Sequence, residues 1–168
     1  MTQKFNLKKY RPNVGVVLFN HEAKIWLGRR INDAAELGGD EWQWQMPQGG
    51  IDKGEDIADA GFRELKEETG VSSAKLLAIT PGWLTYKFPP QYKKKKWIGQ
   101  RQKWAIMMFE GHNGEIDLET DDHQEFDQWR WAELEEAPDL IVPFKRDIYL
   151  DLVSSLSPLR DFLRENRS

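Results

Sequence analysis

The pattern of apolar and polar positions predicts one amphipathic helix near the middle of the chain, over residues 56–69. Apolar or small residues recur every four positions at Ile57, Gly61 and Leu65, which places them on one helical face. Within this stretch Gly61 alone has a low helix propensity, at a cost of about 1 kcal/mol relative to alanine. That cost is tolerable where a close neighbour needs the room. We expect this face to pack against a core.

Strand patterns lie on both sides of this helix. Residues 14–19 (VGVVLF) form a near-continuous apolar run, typical of a strand that is covered on both faces. Residues 24–28 return after a turn at 20–23, which predicts a hairpin. Further strands are predicted at 42–46, where Pro47 ends the strand, and at 75–80, 83–88, 102–110 and 126–132.

A second packed helix is predicted over residues 144–156, because Ile148, Leu152 and Leu156 are spaced by four. Pro158 is expected to end it. Strands interleaved with two helices indicate an α/β (α+β) fold, with a mixed β-sheet sandwiched between α-helices. The predicted organisation is a flexible lead at 1–9, one domain at 10–156 and a C-terminal tail at 157–168, with surface loops at 31–41, at 91–96 and, around one short strand, at 111–124.

Composition excludes several classes of function. The net charge of −4 over 168 residues argues against a general nucleic-acid coat protein, which is normally basic, and we expect no DNA-specific binding. The chain has no cysteine, which excludes disulfides and thiolate catalysis and suits a reducing, cytoplasmic compartment. His21, His112 and His123 are too scattered for a metal triad. No apolar run approaches the roughly 18 residues that span a bilayer, so we expect no membrane association.

The central helix carries an acidic face beside its apolar one. Glu64, Glu67 and Glu68 stand at i, i+3 and i+4, so their carboxylates point to one side. Like charges at this spacing destabilise a helix by about 0.2–0.5 kcal/mol per pair, which a bound cation would relieve. Oxygen donors without a thiol favour Mg²⁺ or Mn²⁺ over Zn²⁺. Three carboxylates by themselves are more often a solvated acidic surface than a metal site.

Residues 49–71 (GGIDKGEDIADAGFRELKEETGV) add a more specific pattern. They resemble the box G-x5-E-x7-R-E-U-x-E-E-x-G-U of the Nudix hydrolases, where U is aliphatic, at all nine fixed positions. The resemblance implies a Nudix fold, in which a loop, a helix and a second loop hold divalent metal ions and hydrolyse a nucleoside diphosphate linked to another group. It assigns as metal ligands Glu64, Glu67, Glu68 and the carbonyl of Gly49, and it pairs Arg63 with Glu55 to hold helix and loop in register.

Five further segments resemble one branch of that family, the RNA pyrophosphohydrolases and (di)nucleoside polyphosphate hydrolases. Such enzymes remove pyrophosphate from 5′-triphosphorylated RNA ends or cleave dinucleoside polyphosphates such as diadenosine tetraphosphate. The resemblance implies Mg²⁺ as cofactor, with Mn²⁺ as a substitute and more than one ion bound with substrate; it gives no indication about protein partners. The segments are YRPNVG (10–15), WQMPQGG (44–50), GQ-x-QKW (99–104), EFD-x-WRW (125–131) and VPFKRDIY (142–149).

The resemblance also implies roles in substrate binding. Arginine suits bidentate phosphate contacts, and an aromatic ring suits stacking on a base. Arg11 and Arg30 would hold phosphates or the first bases, and Phe144 would stack on a base beside Lys145. A segment similar to the WLTY-K groove lining adds Trp83, Tyr86 and Lys87.

The implied catalytic groups are Glu64, Glu68 and Glu125, and Glu125 is also implied as a metal-side carboxylate. In phosphoanhydride hydrolysis, metal ions neutralise charge on the bridging and leaving oxygens while a carboxylate base activates water. Glu64 and Glu125 both remain candidates for that base. The alternative function is a non-catalytic nucleotide-binding sensor or interaction module of the same fold, which predicts the loss of box carboxylates, whereas all are present.

Two segments leave the substrate open. The lysine run at 93–96 either steers a polyphosphate or an RNA backbone by long-range attraction or is only a solvated loop. The insert at residues 32–41 is longer than in many relatives and leaves the openness of the groove to a long RNA undetermined. RNA ends and dinucleoside polyphosphates both present a polyphosphate beside a stackable base.

Overall fold

The computed structural model describes residues 6–31, 43–90 and 96–167. Residues 32–41, the lysines at 93–95 and residues 1–5 of the N-terminal lead lie outside the described residues. The strands and helices are β1 (Tyr10–Phe19), β2 (Ile25–Arg30), β3 (Trp44–Gln45), β4 (Gln48–Gly50), α1 (Ile57–Thr69), β5 (Ala74–Ile79), β6 (Leu84–Lys87), β7 (Gly99–Phe109), β8 (Phe126–Ala132), α2 (Ala137–Leu140) and α3 (Arg146–Glu165).

The eight strands form one mixed sheet, as predicted. At its centre β1 and β7 run parallel, in register from Tyr10 opposite Gly99 to Phe19 opposite Met108. The other pairings among the described strands are antiparallel: β1 pairs with β2 and β4, β2 with β3 and β8, and β7 with β5 and β6. The long parallel pair therefore fixes which residues of two distant segments lie side by side.

Each face of the sheet is covered by one helix, which confirms the sandwich. On one face Leu65 of α1 packs with Val14 and Met107, and on the other Leu152 of α3 packs with Trp104. The predicted apolar row of α1 is the buried one. At Gly61 an added Cβ would lie 3.1 Å from the Cβ of Ala105, so the glycine lets the helix approach β7 closely.

The ends of α1 are set by local chemistry. The Asp56 side chain accepts hydrogen bonds from the backbone N–H groups of Ala58 and Asp59, which caps the N-terminus. Gly70 adopts a left-handed conformation with φ of 75° and ends the helix, a conformation that costs glycine little. The helix therefore begins and ends within one residue of its predicted limits.

The glycine-rich entry to this helix differs from expectation. The sequence predicts a loop from Gly49 onward, but Gln48–Gly50 forms β4, because β1 presents the unpaired edge of Asn13 to Gly15 as an antiparallel partner. The strand β1 also begins at Tyr10, four residues before its predicted start, since the parallel pairing with β7 extends that far.

The prediction that Pro158 ends the C-terminal helix is wrong. The helix α3 continues to Glu165 with Pro158 inside it. Packing offsets the lost N–H bond, because Leu159 and Leu163 lie against the core and Arg164 contacts Glu133 at 2.7 Å. Within residues 111–124 the structure has no strand, only a 3₁₀ turn at Asn113–Glu115. Of the helices described, none is both long and apolar enough to cross a membrane.

Candidate active site

A cleft of about 680 Å³ opens at the end of the sheet where β1 and β7 begin. It lies between the acidic face of α1 and the turn that precedes α3. The cleft brings together most of the residues that the sequence selected, although they come from distant segments. Those lining it are Arg11, Arg30, Gly49, Glu64, Glu68, Tyr86, Glu125, Phe144 and Lys145.

One wall of the cleft is acidic. Burial raises the pKa of Glu64, whose carboxylate lies against Gly49 so closely that any side chain at Gly49 would overlap it. Glu68 accepts a hydrogen bond from the backbone N–H of Gln48 at 3.1 Å. Burial, followed by repulsion from Glu64 and Glu125, raises the pKa of Glu68 well above its usual range. Three carboxylates thus share a space in which they repel one another.

Arg63 holds the acidic wall in place. Its guanidinium donates to both carboxylate oxygens of Glu55 at 2.8 Å, to Glu64 at 2.8 Å and to the carbonyl of Gly50 at 2.9 Å. These hydrogen bonds hold the pKa of Glu55 down at about 2. The predicted pairing of Arg63 with Glu55 is confirmed, and it ties α1 to the loop and to the end of β4.

The chemistry of the acidic wall fits a hard divalent cation. Its donors are carboxylate and peptide oxygens, which Mg²⁺ and Mn²⁺ prefer, and a cation would offset the repulsion among Glu64, Glu68 and Glu125. In the described residues no group of three or more His, Cys, Asp or Glu is already arranged to hold an ion. Glu67 lies outside the cleft, 3.3 Å from Arg63. The ligand roles therefore stay predictions.

The facing wall is basic and aromatic. Arg11 lies over the backbone of Gly50, where an added Cβ would come within 2.7 Å of its Nη2. Phe144 packs against Tyr86 with ring centroids 5.6 Å apart, and the Lys145 ammonium lies 5.9 Å from the Phe144 centroid. Burial raises the pKa of the Tyr86 hydroxyl above its ordinary value, so it stays a neutral hydrogen-bonding group.

The two walls meet at Arg30. Its Nη2 lies 3.7 Å from Oε1 of Glu125, and its positive charge opposes the rise in the pKa of Glu68. A single arginine therefore faces both the carboxylates and the aromatic pocket. This position suits an anionic group that bridges the two walls.

Sequence reasoning missed a network of buried amides on the cleft floor. The side-chain amide of Gln102 donates to Asn13 and to Gln48, each at 3.1 Å, and the Tyr86 hydroxyl donates to Gln100 at 2.6 Å. The signal was present, since these polar residues stand inside the segments YRPNVG, WQMPQGG and GQ-x-QKW, where a buried strand is otherwise apolar. The cleft also contains five residues to which the sequence assigned no role: Gln45, Gly50, Phe88, Trp97 and His123.

The structure does not bring Trp83 and Lys87 into the cleft. Side chains alternate along β6 and its flanks, so Tyr86 faces the cleft while Trp83 lies against Arg101 and Lys103 on the other face. The segment was located correctly by its pattern. Only the pairing of β6 with β7 decides which of its side chains reach the cleft.

The whole sequence was compared with known protein families and with individual proteins. A match to the NUDIX domain covers residues 9–152. The chain is 51% identical over 152 residues to an RNA pyrophosphohydrolase of Caulobacter vibrioides, covering 88% of this chain and 86% of the relative. It is 44% identical over 164 residues to an RNA pyrophosphohydrolase of Bartonella quintana, covering 92% and 95% of the two chains.

Solved structures share the fold at low identity. A C. elegans Ap4A hydrolase binary complex superposes with a TM-score of 0.56 at 20% identity, over 90% of this chain and 97% of the other. The E. coli dihydroneopterin triphosphate pyrophosphohydrolase gives a TM-score of 0.63 at 16% identity, over 88% and 99%. Likeness at this level of identity shows the arrangement of strands and helices only.

Proposed function

This chain belongs to the NUDIX domain family and is a hydrolase of phosphoanhydride bonds, and we propose that it removes pyrophosphate from 5′-triphosphorylated RNA ends, cleaves dinucleoside polyphosphates such as diadenosine tetraphosphate, or does both. RNA is the substrate class named for the relatives at 44–51% identity. We infer a cytoplasmic location from the absence of cysteine. We also propose that the protein binds neither DNA specifically nor membranes.

The observation that carries the proposal is the opposition of the two walls of the cleft. Carboxylates that repel one another, Glu64, Glu68 and Glu125, face a wall that holds Arg11, Phe144 and other cationic and aromatic groups. A polyphosphate next to a nucleobase fits both walls at once. Its charge is matched by arginine and by ions held at the carboxylates, and its base is matched by the rings.

The cofactor in this proposal is Mg²⁺, with Mn²⁺ as a substitute, and more than one ion is bound with the substrate. Members of the family generally need divalent metal ions. Glu64, Glu67, Glu68, Glu125 and the Gly49 carbonyl would hold them. When bound, they supply charge neutralisation at the scissile phosphates.

The chain's own residues have separate tasks in this scheme. Arg11 and Arg30 orient the phosphates, and Phe144 and Tyr86 hold the base beside Lys145. Glu64 or Glu125 takes the proton from the attacking water. Arg63 positions Glu64 without touching the substrate.

The test is turnover by the purified protein in Mg²⁺, with 5′-triphosphorylated RNA and diadenosine tetraphosphate compared side by side. We expect pyrophosphate release from the RNA, cleavage of the dinucleotide, or both, and loss of turnover on chelation that Mg²⁺ or Mn²⁺ restores. Failure to cleave either substrate would reject this function. Turnover that persists after chelation would reject the metal assignment alone.

A further inference from the structure

A second basic surface lies on the back of the strands that form the cleft. Along β6 and β7, Tyr86 and Gln100 line the cleft, and the residues that alternate with them face the opposite side. Arg101 stands opposite Thr85 across the two strands. We call the reverse-face patch the four residues on that side: Trp83, Lys87, Arg101 and Lys103.

The cations of the reverse-face patch are held on an aromatic support. The Arg101 guanidinium lies 4.6 Å and the Lys103 ammonium 5.3 Å from the centroid of the Trp83 ring. Trp83, Arg101 and Lys103 are half-buried, and Lys87 is exposed. Contact with the ring restricts both long side chains before any ligand binds, which lowers the entropy lost on binding.

These cations are also unneutralised. Within the described residues, Lys87, Arg101 and Lys103 make no ion pair and no side-chain hydrogen bond, and Nε of Arg101 is buried without a partner. The three positive charges therefore repel one another, although the chain as a whole has a net charge of −4. A polyanion on this surface would relieve that repulsion.

We propose that the reverse-face patch binds the RNA chain downstream of the 5′ end that the cleft holds. This proposal rests on the proposed function, and it concerns the nucleotides of the RNA that lie beyond the cleft. Among the described strands β6 pairs with β7 alone, so no described strand covers its outer edge. An RNA that leaves the cleft beside Phe88 can pass around this edge to the patch. A positively charged surface that includes an aromatic ring is the chemistry that binds a single strand without sequence preference.

The double variant Arg101→Gln/Lys103→Gln tests the proposal, and the single variant Lys103→Gln has a matched charge control in Lys75→Gln, at an exposed lysine of β5. We expect the double variant to raise KM for a triphosphorylated RNA of ~10 nucleotides about tenfold. Hydrolysis of diadenosine tetraphosphate, which has no downstream chain, should not change. The slope of log KM against log salt should flatten by about 0.7 for each phosphate contact removed.

Three results would overturn the proposal. These are equal loss on both substrates, no change on RNA, or the same change in Lys75→Gln. If the double variant fails to fold, Lys103→Gln alone serves, and its melting temperature is checked first. Trp83→Phe should keep more RNA affinity than Trp83→Ala, because the ring supports the cations.

Binding without turnover separates this proposal from the proposed function. Fluorescence anisotropy with a 5′-hydroxyl RNA of ~10 nucleotides reports the patch even if no substrate is cleaved. Affinity that is lost in Arg101→Gln/Lys103→Gln supports it. Equal affinity in both proteins, or an acidic peptide that competes fully with the RNA at equal charge, would reject RNA as the occupant.

Discussion

The cleft and the opposite end of the sheet both contain carboxylates, but their surroundings differ. In the cleft, burial and like charges raise the pKa of Glu68. At the other end, Glu115 accepts hydrogen bonds from the backbone N–H groups of Ser72 at 2.8 Å and Ser73 at 2.9 Å, and these bonds lower its pKa. Glu115 contributes to folded stability, whereas ionised Glu68 works against it. Carboxylates that lower the stability of the folded protein are candidates for functional residues.

Two neighbouring arginines of β2, Arg29 and Arg30, show the same difference between a structural and a cleft environment. Asp127 on β8 accepts two hydrogen bonds at 2.8 Å from Arg29, which lower its pKa. By contrast, Arg30, one residue along β2, lies 3.7 Å from Glu125 and faces the cleft. Neighbouring arginines on one strand therefore serve different purposes, because alternate side chains point to opposite faces of the sheet.

The largest effect is expected for Glu68→Gln. The change removes one charge without altering the shape of the side chain, so kcat should fall roughly a thousandfold. The melting temperature should stay the same or rise, because repulsion from Glu64 and Glu125 is removed. Steady-state kinetics and thermal unfolding of the same preparation measure both. Near-normal turnover by the folded variant would contradict the role of Glu68.

Arg63→Lys should have the next largest effect, a fall in kcat of about 10- to 100-fold with little change in KM. Lysine keeps the charge but lacks the planar fork that reaches Glu55, Glu64 and Gly50 together. Glu55→Gln is the matched control, since it weakens one arm of the same network and should lose less. A rise in KM with unchanged kcat would show that Arg63 binds substrate instead of positioning Glu64.

Phe144→Ala tests the facing wall. Loss of a ring that stacks on a base costs about 1–3 kcal/mol, so KM should rise by about 5- to 140-fold while kcat changes little. Phe144→Tyr keeps the ring and should restore most of the affinity. If kcat falls instead and KM holds, the ring of Phe144 supports the active geometry through Tyr86, which lies 5.6 Å away.

The smallest effect is expected for Glu115, at the end of the sheet opposite the cleft. Glu115→Gln should lower the free energy of unfolding by about 1 kcal/mol and leave kcat unchanged. A lowered folded pKa means that the stabilisation is present above the ordinary value of 4.5 and is lost as the pH falls through the lowered pKa. Denaturant unfolding at pH 7 and below pH 4.5 measures this. A difference between variant and parent that persists at the lowest pH would contradict the role of the ionised carboxylate.

The outcome of sequence reasoning depended on how local each interaction is. The helix α1 was predicted within one residue, because its apolar row, its Asp56 cap and its Gly70 end all act within one or two turns. Strand positions followed the apolar runs, except that β4 was not predicted and β1 begins four residues before its predicted start. The extension of α3 through Pro158 was not, since contacts with residues far along the chain offset a local penalty.

The candidate site divides in the same way. Glu64 and Glu68 could be placed on one face from i, i+4 spacing alone, and the resemblance of residues 49–71 indicated what that face does. The sequence did not reveal that Gln102 links Asn13 to Gln48 on the floor of the cleft. That link needs the register between β1 and β7, which joins residues almost ninety positions apart.

By itself, then, the sequence determined the acidic helix, the class of chemistry and the segments that surround the site. The tertiary structure decided which side chains of those segments enter the cleft: Tyr86 faces it, whereas Trp83 lies behind it. The physical reason is that helical spacing is set within a few residues, whereas the face of a strand is set by its pairing. A shift of one residue in that pairing moves every side chain to the other side of the sheet.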